Sequence, residues 1–198
     1  RPKHLIVLLI SGMLLFILVA VASVKDWLPK PILEDYQVRR LTIFLDPYSD
    51  PTGDGWNIIQ SMVAIGSGNF FGKGLFEGSQ TQLNYVPERQ TDFIFSVIGE
   101  ELGFLGGITL LTLFCLFLWR CLAVLSAAKD RFGALMVAGV VSMIFFHVVV
   151  NIGMTIGLMP ITGIPLPFSS YGGTSLLLNM ASVGLVLNVW MRRKKIQF

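Results

Sequence analysis

The chain has 198 residues, of which 54% are hydrophobic and 14% are charged, and its formal net charge is +3. Soluble globular domains carry about 25% charged residues, so this composition excludes an ordinary soluble domain and indicates an integral membrane protein. The positive charge is concentrated beside apolar runs, which is typical of membrane flanks and gives no reason to predict nucleic-acid binding.

Four apolar runs are long enough to cross a hydrocarbon layer of ~30 Å, which takes about 20 residues of helix. They predict an all-α membrane domain with four transmembrane helices at residues 5–24, 93–122, 132–154 and 174–191. The segments between and after them are predicted to be a large extracellular loop at 25–91, an extracellular re-entrant loop at 155–173 and a cytoplasmic tail at 192–198.

Basic residues flank these runs on one side of the predicted membrane. They are Arg1, Lys3, Arg120, Lys129, Arg131 and the cluster Arg192–Lys195. Short basic flanks are normally cytoplasmic, so both ends of this segment are expected in the cytoplasm. The first run could also be a secretory signal, because Ala20 and Ala22 form a cleavage-like pattern, but its full membrane length favours a retained helix.

The large extracellular loop is predicted to contain short helices. Residues Ile32 to Leu45 place apolar side chains at helical spacing, which suits a helix lying in the membrane interface. A second short helix is predicted from Trp56 to Ile65, with Asp54 as its N-cap. The glycine-rich stretch that follows carries Lys73 and is either a flexible lid over a pocket at the membrane surface or a solvated connection.

An acidic residue, Asp92, lies at the entrance of the second apolar run. Acids are rare at such positions unless they pair, reach the interface or act on a substrate. At 100° per residue of helix, Glu100 lies about 80° from Asp92 on the helix surface and could reach the same site. Glu100 and Glu101 could equally have a packing or capping role.

Polar residues also mark the third run and the last external segment. His147, Asn151 and Thr155 share one helix face, which either lines a polar cavity or bonds to neighbouring helices. Prolines and glycines prevent a continuous helix at residues 155–173, where Ser170 and Tyr171 supply hydroxyl groups. This segment either contributes to a site or only packs.

Several segments resemble the RodA/FtsW family, also called SEDS proteins. They are FLDP at 44–47, NIIQSMVAIGSG at 57–68, GKG at 72–74, VPERQTDFIFSVIGEELGF at 86–104 and NIGMTIGLMPITGIPLPFSSYGGTS at 151–175. The family fold has roughly ten membrane helices, so the resemblance implies that this chain is the C-terminal four. We expect this segment to be inactive alone, because the earlier helices would be needed to wall the substrate cavity.

The resemblance implies a peptidoglycan glycosyltransferase that polymerises lipid II at the outer face of the bacterial cytoplasmic membrane. The acid of the TDF motif, Asp92, is then the essential catalytic group. The implied partners are a class B penicillin-binding protein, which is a transpeptidase, and other membrane proteins of the elongation machinery.

The chemistry of this reaction can be stated independently. Extending a β-linked glycan from an α-linked sugar diphosphate inverts the anomeric carbon, and one carboxylate suffices as general base. Basic side chains or a divalent cation, Mg²⁺ or Mn²⁺, would stabilise the leaving diphosphate, although such side chains can also anchor lipid headgroups. No protein-bound metal site is predicted. The predicted substrate-binding residues are Lys73, Glu88, Arg89, Glu100, Ser170 and Tyr171.

Local sequence favours the elongation branch of the family over the division branch. QTQLN at 80–84 and NIIQS at 57–61 resemble RodA-type members. The chain departs from common family patterns at Gln90, Thr162 and Ser169. A flippase for lipid-linked precursors and a noncatalytic scaffold are the alternative functions, but the polar residues concentrate at the external end, which favours chemistry at the surface over a transport path.

Overall fold

The computed structural model describes residues 7, 10–12, 14–15, 18–19, 21–22, 34–50, 53–83, 85 and 90–193. All regular secondary structure in these ranges is helical, which confirms the all-α fold class. The elements are α1 (Asp35–Leu45), a short 3₁₀ helix (Pro47–Ser49), α2 (Asp54–Ser67), α3 (Ser79–Gln82), α4 (Ile94–Ser126), α5 (Arg131–Thr155) and α6 (Gly173–Met191).

Three of these helices, α4, α5 and α6, are long and apolar enough to cross a membrane. They correspond to the second, third and fourth predicted spans. Described residues of the first predicted span, such as Val7, Leu14 and Val21, are helical and exposed. That span as a membrane crossing, and the assignment of the loops to the two sides, stay predictions.

Residues 1–56 and residues 57–198 form separate compact units. In the first unit, α1 begins behind Glu34, whose side chain and that of Gln37 make a capping box. The predicted start of this helix at Ile32 lies outside the described residues. The helix ends before Asp46, whose carboxylate accepts a hydrogen bond from the Tyr48 amide at 3.1 Å and so begins the 3₁₀ turn.

The second unit is built on the packing of α4, α5 and α6. Its buried apolar core includes Phe95 and Phe114 from α4, Ile144 and Val148 from α5, and Val186 from α6. The link between α4 and α5 is short. It is closed by Asp130, whose carboxylate accepts from the Gly133 amide at 3.0 Å and caps the start of α5.

Helix α4 is broken near its start, although its sequence predicts one continuous apolar run. Gly103 adopts φ 65° and ψ −162°, a left-handed conformation that favours glycine. Its break frees the amides of Phe104 and Leu105, which donate to the carbonyls of Asn69 and Phe70 at 2.9 and 3.2 Å.

The glycine-rich loop that contains Asn69 and Phe70 also donates hydrogen bonds to the main-chain carbonyls of α4 that lose their helical partners at the break. The amides of Lys73 and Gly74 donate to the carbonyls of Glu100 and Glu101 at 3.0 and 3.1 Å. These two carbonyls would otherwise accept from residues 104 and 105 in a regular helix. The glycine-rich loop is therefore bonded to α4 along its residues 69–74.

Candidate active site

Asp92 lies in a turn directly before α4, not within the helix. Residues 90–93 form this turn, and α4 begins at Ile94, so the angle expected between Asp92 and Glu100 on a helix surface does not apply. The neighbouring Phe93 is 2% exposed and anchors the turn in the core, whereas Asp92 is partly exposed. The carboxylate is thus placed at the edge of the helical core.

Two other elements meet at Asp92. Helix α5 contributes Asn151, whose amide nitrogen Nδ2 donates to the Asp92 main-chain carbonyl at 2.8 Å. The segment after α5 contributes Gly163, where an added Cβ would lie 3.2 Å from Asp92 Oδ2. The site is therefore assembled from the turn before α4, from α5 and from the predicted re-entrant loop.

On the polar stripe of α5, the Asn151 side chain bonds to neighbouring elements, whereas the Thr155 hydroxyl donates within its own helix to the Ile152 carbonyl at 2.8 Å. Asn151 and Thr155 are fully buried. Asn151 also donates to the Ile164 carbonyl at 2.8 Å, and the Thr155 carbonyl accepts from the Ser61 hydroxyl of α2 at 2.9 Å. The Asn151 bonds therefore join α5 to the turn before α4 and to the segment after α5.

The segment between α5 and α6 is not helical, as its prolines and glycines predict. The Ser170 hydroxyl accepts from the Leu166 amide at 2.7 Å, which closes a turn within this segment. The Tyr171 amide donates to the Gln90 carbonyl at 2.8 Å and joins the end of the segment to the turn of Asp92. The Tyr171 residue is 78% exposed.

A cavity of about 530 Å³ opens at this junction. Gln90 and Ile94, which stand two positions before and after Asp92, line one part of it. Its remaining lining comes from Phe168–Gly173 and Leu176. Its walls combine hydroxyl and main-chain polar groups with apolar side chains, which is the usual character of a small-molecule site.

Lys73 and Glu100 form an ion pair with each other. The Lys73 Nζ to Glu100 Oε1 distance is 2.8 Å, and the Glu100 side chain is fully buried while that of Lys73 is 29% exposed. The Glu100 carboxylate also accepts from the main-chain amides of Gln80 and Thr81 at 2.9 Å each, and Lys73 donates to the Ser79 hydroxyl at 2.8 Å. Glu100 therefore caps α3, which matches the capping alternative.

Comparisons with known proteins identify the family. The family model for FtsW, RodA and SpoVE, described as "Cell cycle protein", matches residues 3–195. The chain belongs to the FtsW/RodA/SpoVE family. This confirms the resemblance seen in its motifs.

Individual family members are closely similar in sequence. The peptidoglycan glycosyltransferase RodA of Treponema pallidum is 49% identical over 162 residues, covering 82% of this chain and 37% of the relative. The peptidoglycan glycosyltransferase MrdB of Escherichia coli K12 is 45% identical over 194 residues, covering 96% of this chain and 52% of the relative. The chain therefore spans about half the length, or less, of the curated relatives it matches.

A solved structure has the same fold. It comes from work on the structural coordination of polymerization and crosslinking by a peptidoglycan synthase complex. Its matching chain has 37% sequence identity and a TM-score of 0.74, covering 98% of this chain and 50% of that one. Together with three apolar helices, family membership makes this chain part of a multi-pass membrane protein.

In this FtsW/RodA/SpoVE member, the structure brings together only some of the predicted site residues. Asp92, Ser170 and Tyr171 lie in segments bonded to one another around Gln90. Glu88 and Arg89 lie outside the described residues. Among the residues that are described, no group of three or more His, Cys, Asp or Glu side chains could hold a metal ion.

The family resemblance implies that the segment after α5 lies beside the Asp92 site, but no sequence pattern predicts the contacts of Asn151 and Gly163 with Asp92. The sequence marks Asn151 only as one member of a polar helix face and Gly163 only as one of the helix-breaking residues. Asp92 and Asn151 are 59 positions apart in sequence, so no local pattern predicts their contact. The sequence shows an amide side chain in an apolar run. This pattern indicates a buried hydrogen bond but does not identify the bonding partner.

Proposed function

We propose that the full-length protein polymerises lipid II into glycan strands at the outer face of the cytoplasmic membrane. Relatives at 49% and 45% identity are named peptidoglycan glycosyltransferases. The observation that carries the proposal is the placement of Asp92, a partly exposed residue at the junction of α4, α5 and the segment before α6. Its neighbours Gln90 and Ile94 line a cavity. A carboxylate placed in this way suits a general base.

In the proposed reaction, Asp92 takes the proton of the acceptor hydroxyl. The hydroxyl oxygen attacks the anomeric carbon of the donor sugar from the face opposite the diphosphate. The bond from that carbon to the diphosphate oxygen breaks as the glycosidic bond forms, so the configuration inverts and the polyprenyl diphosphate leaves. Because the diphosphate is already a stable anion, the step needs one base and no separate acid.

The leaving diphosphate needs positive charge. Lys73 is held at 2.8 Å from the buried Glu100, so binding the diphosphate directly would require it to leave that partner. We therefore assign Lys73 first to the folding of the loop, and Arg89 to the diphosphate. Mg²⁺ or Mn²⁺ bound together with the substrate would supply further positive charge at the diphosphate.

The partner in this proposal is a class B penicillin-binding protein that crosslinks the new strand. The structurally similar chain comes from a complex that coordinates polymerization and crosslinking, which supports this pairing. The RodA-like segments QTQLN and NIIQS favour a role in elongation, with other elongation proteins in the same assembly. The basic flanks support cytoplasmic ends for this segment.

The deciding experiment compares Asp92→Asn with the unchanged full-length protein, purified with its partner and supplied with fluorescent lipid II. Removing a general base should reduce glycan synthesis by about 100-fold or more, measured on gels. Asp130→Asn is the matched control, because asparagine caps a helix as well as aspartate does, and it should retain synthesis.

Two outcomes would change the assignment. If Asp92→Asn synthesises glycan at the control rate, the enzyme proposal is wrong and the scaffold interpretation gains support. If it loses lipid II translocation in vesicles while polymerisation persists, the protein is better described as a flippase.

A further inference from the structure

We propose that Asn151 and Gly163 are positioning residues that hold the Asp92 carboxylate in its reactive place. This inference rests on the proposed function of Asp92 as general base. The turn at residues 90–93 lies outside helix α4, which begins at Ile94. The elements packed against this turn therefore contribute to the position of the carboxylate.

Asn151 fixes the main chain on both sides of the site. Its Nδ2 group donates to the carbonyls of Asp92 and Ile164, both at 2.8 Å, so one amide uses both of its hydrogens. Because both partners are acceptors, the orientation of the amide is determined by the bonds themselves. One buried side chain thus ties the turn before α4 to the segment that carries Gly163.

The other end of the same amide makes this position costly for stability. Asn151 Oδ1 is buried and has no hydrogen-bond partner among the described residues. Leaving such an atom unpaired costs about 1–3 kcal/mol. Most neighbouring positions of α5 are apolar, so the amide at position 151 departs from the surrounding pattern.

Gly163 lies close to the Asp92 carboxylate itself. It has φ 69°, a conformation that other residues rarely adopt, and a Cβ there would lie 3.2 Å from Asp92 Oδ2. The next residue, Ile164, offers the carbonyl that Asn151 holds. Glycine therefore allows the segment to approach the carboxylate closely, and Asn151 holds it at that distance.

This arrangement matters because proton transfer depends strongly on distance. A general base must come within about 2.6–3.2 Å of the hydroxyl oxygen, and a displacement of about 1 Å can cost about 100-fold in rate. Substrate affinity should depend on this placement much less than the rate does. If the carboxylate is no longer held in position, kcat should therefore fall with little change in KM.

The first test is Asn151→Leu in the full-length protein with its partner. We expect kcat for fluorescent lipid II to fall by about 100-fold while KM changes by less than about threefold. The matched control is Asn179→Leu, which also removes a buried amide with an unpaired Oδ1 from an apolar helix. Asn179→Leu should leave kcat unchanged, even if it alters the melting temperature.

If Asn151→Leu does not yield folded protein, Asn151→Ser takes its place. Serine is tolerated in membrane helices because its hydroxyl can bond to a carbonyl one turn earlier. It is too short to replace the two long-range bonds of Asn151, so the same fall in kcat is expected. A kcat equal to that of Asn179→Leu in the folded variant would overturn the inference.

The second test compares two glycines of similar conformation. Gly163→Ala and Gly157→Ala place a Cβ at φ 69° and φ 75°, so both carry backbone strain. The new methyl group meets Asp92 Oδ2 at position 163, but the flexible Met62 side chain, with Sδ at 2.9 Å, at position 157. Only Gly163→Ala should lower kcat, and equal effects of the two changes would contradict the positioning role.

Failure of this inference can be told apart from failure of the proposed function. Full activity of Asp92→Asn would show that Asp92 is not the general base. If Asp92→Asn loses activity while Asn151→Leu and Gly163→Ala keep a normal kcat, Asp92 is still the general base, but these two residues do not position it. A raised KM with unchanged kcat in the two positioning variants would also overturn it.

Discussion

Replacing Lys73 with methionine should loosen the glycine-rich loop that is bonded to α4. The change keeps most of the side-chain volume but removes the charge 2.8 Å from the fully buried Glu100 carboxylate. Removing one partner of a buried ion pair costs about 3–5 kcal/mol. Because Lys73 is 29% exposed and the amides of Gln80 and Thr81 still bind Glu100, we expect about 3 kcal/mol, at the lower end of that range.

Hydrogen exchange measures this loss where it occurs. The amides of Gln80 and Thr81 donate to Glu100, so local opening of the loop exposes them. A loss of about 3 kcal/mol corresponds to exchange roughly 100-fold faster in peptides covering residues 79–82, measured by mass spectrometry. Lys73→Arg restores a positive charge and should recover much of the protection.

The matched control for this prediction is Lys129→Met. Lys129 is an exposed lysine in the link between α4 and α5, so the same chemical change there should leave exchange at residues 79–82 unaltered. If Lys73→Met exchanges no faster than Lys129→Met, the ion pair does not hold the loop, and the structural role assigned to Lys73 is wrong.

Two further predictions concern packing and substrate contact. Gly68→Ala should lower the melting temperature of the purified protein, because its Cβ would lie 1.9 Å from the Gly99 carbonyl oxygen. A Cβ at Gly66 meets nothing within 4 Å, so Gly66→Ala should gain about 0.5–1 kcal/mol of helix stability. A lower melting temperature for Gly66→Ala than for Gly68→Ala would refute this. Tyr171→Ala should change stability by less than about 0.5 kcal/mol, because the residue is 78% exposed, but should raise KM for lipid II. An unchanged KM would remove Tyr171 from the substrate site.

The sequence predicted the long helices well because hydropathy reports directly on them. Helices α4, α5 and α6 begin within a residue of their predicted starts at 93, 132 and 174. Hydropathy does not detect the break at Gly103, since an apolar run looks the same whether or not its amides bond within the helix. The break depends on a loop about 30 residues earlier in the chain. The main-chain groups of that loop bond to the amides and carbonyls of α4 that have no helical partner at the break.

The candidate site was only partly predictable for a similar reason. The motif around Asp92 identified the carboxylate, but a helical angle could not relate it to Glu100, because Asp92 lies in a turn. The Lys73–Glu100 pair joins residues 27 positions apart, and the Asn151–Asp92 bond joins residues 59 apart. Such contacts follow from the packing of elements, which no local pattern in a single sequence reports.

A structure of the full-length protein with lipid II and a glycan acceptor would test the role of Asp92 most directly. We expect the acceptor hydroxyl oxygen to lie about 2.6–3.2 Å from an Asp92 carboxylate oxygen, with the diphosphate on the opposite side of the anomeric carbon. An acceptor hydroxyl beyond reach of Asp92 even through one water, with another side chain in its place, would contradict it.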